Sequence, residues 1–364
     1  MTWISLLPGG LMACWLTLPG FQDPRPEVEA VREVGADHVV VITVDGLRSD
    51  AILFAGPENL PALHRLMSGP STLNARTDPE LTVTLPNHLA LVTGRLAGGE
   101  GGHAWRGNET PKDGETLAQT AGEPVPSMFQ QAHRHGIHTA VLAGKSKLRL
   151  LPQSWPELAE YQESKIPAEL TTRLLEIWQQ HASSLSLIHF RAADDAGHDH
   201  GWTLAKDSPY LQAVAAVDQE LQRILQTLDD DSKLGSRVVL ILTADHGGGG
   251  PWKHHRRSDL WVNYVIPFLV WQPGLAEADL YALNAHSRLN PGLSAPRPGE
   301  SPLPPIRNAD AANLALDLLG LPPLSGSTVN FEQDLQLLPQ AVPSPPKDKL
   351  KACSDPVQSE GQSF

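Results

Sequence analysis

Continuous apolar runs recur along the chain and predict its strands. The first run, His38–Val44, is rich in β-branched residues, which is typical of a strand buried on both faces of a parallel sheet. Similar runs occupy residues 138–143, 185–190, 237–243 and 266–271.

Helical patterns lie between or after these runs. Apolar positions with helical spacing occur at 127–135, 169–180, 210–228 and 310–319, and Asp310 is expected to be the N-cap of the last helix. Strands that alternate with helices indicate βαβ units, whose right-handed crossovers place helices on both faces of a sheet. The pattern therefore predicts an α/β fold with a doubly wound, mostly parallel sheet.

The first residues of the chain differ from this pattern. Residues 1–20 are mostly apolar without Lys or Arg, and proline and glycine interrupt the run, so it is too short and broken for a membrane span. We interpret residues 1–21 as a signal peptide or a lipoprotein leader. The segment 11–14 loosely resembles a bacterial lipobox, which would make Cys14 a lipid anchor. A secreted or periplasmic protein is expected, with a membrane-anchored lipoprotein as the alternative.

The rest of the chain divides by composition. Residues 22–36 carry Pro, Glu and Arg without an apolar period and are predicted to be a linker. The folded domain is then predicted over 37–335. Residues 339–364 are rich in Pro, Ser, Lys and Gln, and we expect a disordered tail there.

Charge limits the partners of the protein. The 364 residues carry a net charge of −13, and the pI is about 5.5. An acidic surface argues against nucleic acid as the main partner, although it leaves room for an anionic substrate in a site that holds metal cations. The oligomeric state cannot be predicted from the sequence.

Acidic residues and histidines follow three of the predicted strands. Asp45 follows the first, Asp194 and His198 follow the run 185–190, and Asp245 with His246 follow the run 237–243. Ligand sites in open α/β sheets form outside the carboxyl ends of the strands. Carboxylate oxygens and imidazole nitrogens together suit zinc or a similar divalent ion.

Each of these segments also has a purely structural interpretation. An Asp-Gly pair after a strand, such as Asp45-Gly46, is usually a turn, and Asp245-His246-Gly247 could cap a loop. The coincidence of three such strand ends favours a metal site over three unrelated turns.

Thr84 is a candidate nucleophile. The segment Thr84-Leu85-Pro86 leads into an apolar helical pattern, and proline suits the first turn of a helix. Thr84 would therefore lie just before a helix N-terminus, where free N–H groups and the helix dipole favour an anion such as phosphate. The alternative is that Thr84 only caps the helix.

Together these residues resemble the alkaline phosphatase superfamily, and within it the type I phosphodiesterase/nucleotide pyrophosphatase branch. The resemblance spans about residues 38–270. It rests on four blocks, which are Val44-Asp45-Gly46, Thr84-Leu85-Pro86-Asn87-His88 with Thr93-Gly94, Asp194-x-x-Gly197-His198, and Thr243-Ala244-Asp245-His246-Gly247.

The resemblance implies an alkaline-phosphatase-like fold with two divalent metal ions, and zinc is expected. One ion would be held by Asp45, Asp245, His246 and the Thr84 oxygen. The other would be held by Asp194, His198 and a later histidine. His255 is favoured for that last position, with His254 and His286 as alternatives, because related bacterial sequences place a histidine at a similar distance before an Asn-Tyr-x-Ile-Pro-Phe strand, here Asn263–Phe268. The Gly326-Ser327-Thr328 segment departs from the eukaryotic members of the family, which have a histidine there.

Asn108 is the remaining residue that the resemblance assigns. It ends a glycine-rich block and would donate a hydrogen bond to a non-bridging phosphate oxygen, whereas an ordinary loop asparagine is the alternative.

The implied function is a metal-dependent phosphoester hydrolase that acts on a small phosphoester through a phospho-threonine intermediate. A neutral Asn108 favours diesters or nucleotide pyrophosphates over monoesters. The alternatives are a phosphomonoesterase, a sulfatase, a mutase or transferase of the same superfamily, and an inactive binding protein on the same fold. A sulfatase requires Cys or Ser in place of Thr84, since threonine cannot form formylglycine.

Overall fold

The central strand of the protein is His38–Val44, and all seven of its residues are buried. It belongs to an eight-stranded sheet in a computed structural model that describes residues 34–249, 252–292 and 301–339. The strands are β1 (His38–Val44), β2 (Pro70–Arg76), β3 (His138–Ala143), β4 (Glu160–Glu163), β5 (Ser184–Phe190), β6 (Val238–Thr243), β7 (Val265–Trp271) and β8 (Ala278–Asp279).

Helices cover both faces of the sheet, as the complete burial of the central strands requires. They are α1 (Ser49–Ala55), α2 (Pro61–Leu66), α3 (Thr84–Thr93), α4 (Leu117–Ala121), α5 (Met128–Arg134), α6 (Leu150–Ser154), α7 (Pro167–Gln180), α8 (Ala192–His200), α9 (Pro209–Asp230), α10 (Ser232–Gly235), α11 (Trp261–Tyr264), α12 (Leu280–Leu283) and α13 (Asp310–Leu318). A short 3₁₀ helix occupies Ser146–Arg149. Helices α3, α5 and α13 pack together, and α7, α8 and α9 form a second group.

The strand order is β4-β3-β5-β1-β6-β7-β2-β8. Strands β4, β3, β5, β1 and β6 are parallel, which confirms the predicted α/β class and mostly parallel sheet. Strand β7 runs antiparallel to both of its neighbours, β6 and β2. The apolar run at 266–271 was sufficient to predict that strand but carried no information on its direction.

The runs at 38–44 and 138–143 match their strands at both ends, and the other predicted elements differ from the observed ones by at most two residues at either end. The clearest difference is at α13, where Asp310 is the first helical residue and Ala309 is the N-cap. The Asp310 carboxylate accepts from the Arg307 N–H at 2.7 Å and pairs with Arg288, so it acts as a buried acceptor and ion-pair partner instead of a cap.

The ends of the folded part extend beyond the predicted limits. Val34 and Ala36, which were assigned to the linker, pack against the core, and the Ala36 N–H donates to the Leu318 carbonyl at 2.9 Å. At the other end Leu337 is still buried. The predicted leader with Cys14, the rest of the linker and the tail from residue 340 lie outside the described residues. No helix within the described ranges is long and apolar enough to cross a membrane.

Candidate active site

Four neighbouring parallel strands deliver charged side chains to one edge of the sheet. In sheet order, β3, β5, β1 and β6 are followed by Lys145, Asp194, Asp45 and Asp245. All four side chains are buried. The convergence that the strand-end rule predicts is therefore present, and it includes one residue that the sequence interpretation did not single out, Lys145.

Asp45, like Asp245, is fully buried. Its Oδ2 atom lies 2.7 Å from Lys145 Nζ and 3.0 Å from His189 Nε2. Its Oδ1 atom lies 3.4 Å from His246 Nε2 and has no hydrogen-bond partner among the described residues. One carboxylate oxygen is thus held by protein donors, and the other is left for a ligand.

Asp245 and His246 face Asp45 from the end of β6. Asp245 Oδ1 accepts from the backbone N–H groups of Gly46 at 3.1 Å and His246 at 2.9 Å. His246 Nδ1 lies 2.8 Å from the Gly247 carbonyl, so the N–H is at Nδ1 and the Nε2 lone pair is free. That Nε2 atom is 3.3 Å from Asp245 Oδ2 and 3.4 Å from Thr84 Oγ1.

Asp194 and His198, predicted to follow a strand, lie on the helix α8 that begins two residues after β5. Residues four apart share one face of a helix, and His198 Nε2 is 3.4 Å from Asp194 Oδ1. His255 approaches from a separate loop, with its Nε2 atom 3.5 Å from Asp194 Oδ1 and 3.2 Å from His198 Nε2.

The three candidate histidines for the last ligand position differ clearly in their surroundings. His255 is buried and stacks on His246 with 3.5 Å between ring centroids. His254 is exposed and stacks on Trp252 instead. His286 lines a different cavity. Of these three residues, only His255 lies within the cluster of predicted ligands.

Two groups in this cluster could each hold a metal ion. Asp45, Asp245 and His246 form one, and Asp194, His246 and His255 form the other, with the ligand atoms of each group within 4.8 Å of one another. One oxygen of each carboxylate, namely Asp45 Oδ1, Asp194 Oδ1 and Asp245 Oδ2, is buried without a hydrogen-bond partner in the described part of the chain. Buried anionic oxygens without donors are costly, and divalent cations at these positions would satisfy them.

The imidazoles are suited to the same role. Burial lowers the pKa of His246, and burial together with the neighbouring His246 lowers the pKa of His255 well below its usual value. Both rings are therefore neutral at neutral pH, which is the state that binds a metal.

Lys145 is the main residue that the sequence interpretation missed. Its ammonium contacts both Asp45 and Asp194 and so bridges the two groups of candidate ligands. Burial would lower its pKa, but the two carboxylates outweigh burial and raise the pKa of Lys145 above its usual value. The signal that could have found it is its place two residues after β3, at the same sheet edge as the other ligands.

Thr84 is the first residue of α3, directly after the N-cap Val83, and it is buried. It therefore lies inside the first turn and is not itself the cap, contrary to the alternative interpretation. Asn108 Oδ1 accepts from the Leu85 N–H at 2.9 Å. This bond fixes the orientation of the Asn108 amide beside Thr84 and leaves its Nδ2 group as a donor.

Two of the motif glycines are required by close packing against Trp202. Gly46 has a φ of +72°, and a Cβ atom there would lie 2.7 Å from the Trp202 ring. A Cβ atom on Gly197 would lie 2.4 Å from the same ring. The ring is buried between the segments that carry Asp45 and Asp194, so it helps to set their relative position.

A family model described as "Type I phosphodiesterase / nucleotide pyrophosphatase" matches residues 39–255, which is more than half of the chain. The chain is 23% identical over 349 residues to GPI ethanolamine phosphate transferase 2 of Saccharomyces cerevisiae, covering 89% of this chain and 39% of the relative. It is 25% identical over 219 residues to human ectonucleotide pyrophosphatase/phosphodiesterase family member 5, covering 57% of this chain and 44% of the relative. The chain thus spans less than half the length of these two relatives.

Among solved structures, a protein of the alkaline phosphatase superfamily from Vibrio parahaemolyticus has the same fold. The TM-score is 0.56 at 12% identity, and the match covers 82% of this chain and 70% of that chain. At this identity the likeness is one of fold.

Proposed function

The chain belongs to the type I phosphodiesterase/nucleotide pyrophosphatase family, and on this premise we propose that it hydrolyses a small phosphoester through a phospho-threonine formed at Thr84. The observation that carries the proposal is the position of the Thr84 hydroxyl. It lies at the start of α3, 3.4 Å from His246 Nε2, among carboxylates with unpartnered oxygens.

We propose that two divalent ions, zinc in particular, complete the site. One ion would be held by Asp45, Asp245, His246 and Thr84. The other ion would be held by Asp194, His198 and His255. Such ions lower the pKa of a hydroxyl group and offset negative charge on phosphoryl oxygens. The unpartnered oxygens and the neutral imidazoles support this assignment.

The residues of the chain then have distinct parts in the reaction. Thr84 Oγ1 gives up its proton to solvent and forms a bond to phosphorus, while the bond from phosphorus to the leaving oxygen breaks and that oxygen takes up a proton from solvent. The Asn108 Nδ2 group donates to a non-bridging oxygen, because its Oδ1 atom is already engaged by the Leu85 N–H. Water then forms a bond to phosphorus, and Thr84 leaves as a hydroxyl.

The test is the Thr84→Ala variant. It should abolish turnover of bis-p-nitrophenyl phosphate and p-nitrophenyl phosphate and leave the metal content unchanged. Thr84→Ser is the matched control, since it keeps a hydroxyl at the same position and should retain activity. Full activity in T84A would refute the proposed nucleophile. Activity towards p-nitrophenyl sulfate would instead support the sulfatase alternative, and complete inactivity of the metal-loaded wild type would support a binding protein.

A transferase is the second candidate, and one observation favours it. The relative that matches over 89% of this chain is a GPI ethanolamine phosphate transferase, whereas the match to the phosphodiesterase relative covers 57%. The same phospho-threonine would then pass its phosphoryl group to an alcohol instead of water. ³¹P NMR of the products formed with and without an added alcohol distinguishes transfer from hydrolysis.

The ester class and the location are further parts of the proposal. A neutral Asn108 beside Thr84 supports a diester or nucleotide pyrophosphate, in which one phosphate oxygen is esterified and the group is less charged. We also propose that the protein acts outside the cytoplasm, on the basis of the leader-like pattern at 1–21. The ratio of diesterase to monoesterase activity in the wild type tests the first point.

A further inference from the structure

A second cavity, of about 560 Å³, lies among residues 286–288, 301–307 and 328–334, with Leu96 at one side. None of the residues in the two groups that could hold a metal ion lines it, and His286, the alternative for the last ligand position, lies here and away from those groups. Its volume is in the range of sites that bind small molecules. It is therefore a candidate binding site that is separate from the active site.

The cavity contains a buried cation with spare hydrogen-bonding capacity. Arg307 is 5% exposed, and its Nη1 group donates to the Thr77 carbonyl. Asp310 accepts from the backbone N–H of Arg307 at 2.7 Å, but no carboxylate within the described ranges forms an ion pair with the Arg307 guanidinium. Arg288, in the same cavity, differs because it is paired with Asp310 at 2.9 Å and Asp334 at 3.1 Å.

Neutral donors in the same cavity are also unused. Asn330 is 6% exposed, and its Oδ1 atom accepts from the Leu335 N–H while its Nδ2 group has no partner in the part of the chain that the structure describes. The hydroxyls of Ser287 and Ser301 are buried without partners there as well. A buried guanidinium together with buried amide and hydroxyl donors is the chemistry that binds anionic oxygens.

Part of the cavity wall is apolar. Leu96, Pro302, Leu303, Val329 and Phe331 line the cavity, and Phe331 is 55% exposed. These side chains cannot interact favourably with a bare inorganic ion, but they can pack against an alkyl chain. We propose that the cavity binds a small amphipathic anion, whose carboxylate or phosphate oxygens accept hydrogen bonds from Arg307 and Asn330 and whose alkyl body lies on the apolar walls.

The acidic residues of the cavity are compatible with this ligand. Asp334 is ion-paired with Arg288 at 3.1 Å, and Arg288 is shared with Asp310. Glu332 is exposed and lines the cavity, so it repels an anion weakly through solvent. Removing its charge should therefore strengthen binding.

Isothermal titration calorimetry of the zinc-loaded full-length protein tests the proposal with octanoate and octyl phosphate as probes. With the active site saturated by inorganic phosphate, at least one of the two probes should still bind the wild type. Asn330→Asp should weaken this binding by at least about tenfold, because it replaces a donor with a charge. Asn108→Asp is the matched control at the active site and should leave probe binding within about twofold of the wild type. Glu332→Gln should tighten binding about twofold.

Several results would overturn the proposal. These are equal binding of neutral octyl glucoside, unchanged affinity in N330D, or loss of binding in N108D, which would place the probe at the active site. If circular dichroism shows that N330D does not fold, E332Q decides the question, and unchanged affinity in that variant rejects recognition of an anion. If octyl phosphate binds and octanoate does not, the ligand is a phosphate amphiphile, and the reverse result identifies a carboxylate.

Discussion

Replacement of Lys145 by methionine should destabilise the metal-free protein much more than the metal-loaded one. The ammonium contacts Asp45 and Asp194, whose side chains are 0% and 3% exposed. In the variant these two carboxylates lose their shared cation. They remain close to the Asp245 carboxylate, which already has its pKa raised by burial and by Asp45.

The magnitude follows from the distance and the burial. Charges 2.7 Å apart, as Lys145 Nζ and Asp45 Oδ2 are, attract each other by about 6 kcal/mol at an effective dielectric constant of 20. The cost of burying the charges offsets part of this attraction. Removal of one partner from a buried pair costs about 3–5 kcal/mol, because it leaves the other charge uncompensated.

Metal binding should reverse most of this loss, since divalent cations at the same carboxylates supply the missing positive charge. Suppose that the free energy of unfolding of the variant is lower by about 4 kcal/mol without metal and by about 1 kcal/mol with metal. Thermodynamic linkage then requires that the variant bind metal more tightly than the wild type does. The difference of about 3 kcal/mol corresponds to an increase of about 100-fold in the overall zinc binding constant.

Urea denaturation at pH 7.5 in EDTA and in excess zinc measures the two stabilities, and competition with a zinc indicator measures the affinity. Lys147→Met is the matched control, because Lys147 forms no ion pair with the described residues, so its loss should cost about 1 kcal/mol or less. An equal loss of stability with and without zinc, or weaker zinc binding in Lys145→Met, would show that Lys145 is not the internal counterion of this site.

Three further predictions concern stability and catalysis. Burial lowers the pKa of His103 to about 4. As the pH falls, this side chain is therefore protonated near pH 6.5 in the unfolded chain but only near pH 4 in the folded protein. Stability should fall by up to about 3 kcal/mol as the pH drops through this window, and His103→Asn should reduce that slope in urea titrations. Gly197→Ala would place a Cβ atom 2.4 Å from the Trp202 ring and should cost about 1–3 kcal/mol in thermal melts, whereas Gly107→Ala, whose nearest contact is 3.6 Å, should cost about 0.5 kcal/mol or less. Asn108→Ala should lower kcat by about 100-fold with the zinc content unchanged, and a change in KM alone would contradict its assigned part in catalysis.

Local sequence patterns were sufficient to predict the central strands and the family. The runs that became β1, β3, β5 and β6 are continuous apolar segments, and a parallel strand covered on both faces requires that composition. Strands β2 and β4 were not predicted, because their sequences PSTLNAR and EYQE are only partly buried and lack such a run.

The residues of the candidate site also fall into those that the sequence predicts and those whose contacts only the structure shows. Asp45, Asp194 and Asp245 could be identified because each follows a strand, and strand ends meet at one edge whatever the order of the strands. Lys145 also follows a predicted strand, so the same rule could have identified it, but its contacts with Asp45 and Asp194 depend on β3 lying beside β5. The sequence resemblance favours His255 over His254, and the structure separates the two because His255 is buried against His246 whereas His254 is exposed beside Trp252.

The sequence by itself therefore determined the class of fold, the family and most of the residues at the strand ends. The tertiary structure decided the reversed direction of β7, the bridge formed by Lys145 and the cavity around Arg307 and Asn330. The physical reason is the sequence separation over which each feature is determined. Apolar periodicity and strand-end chemistry are properties of a few consecutive residues, whereas an ion pair between Lys145 and Asp45 depends on strand order and register across 100 residues of chain.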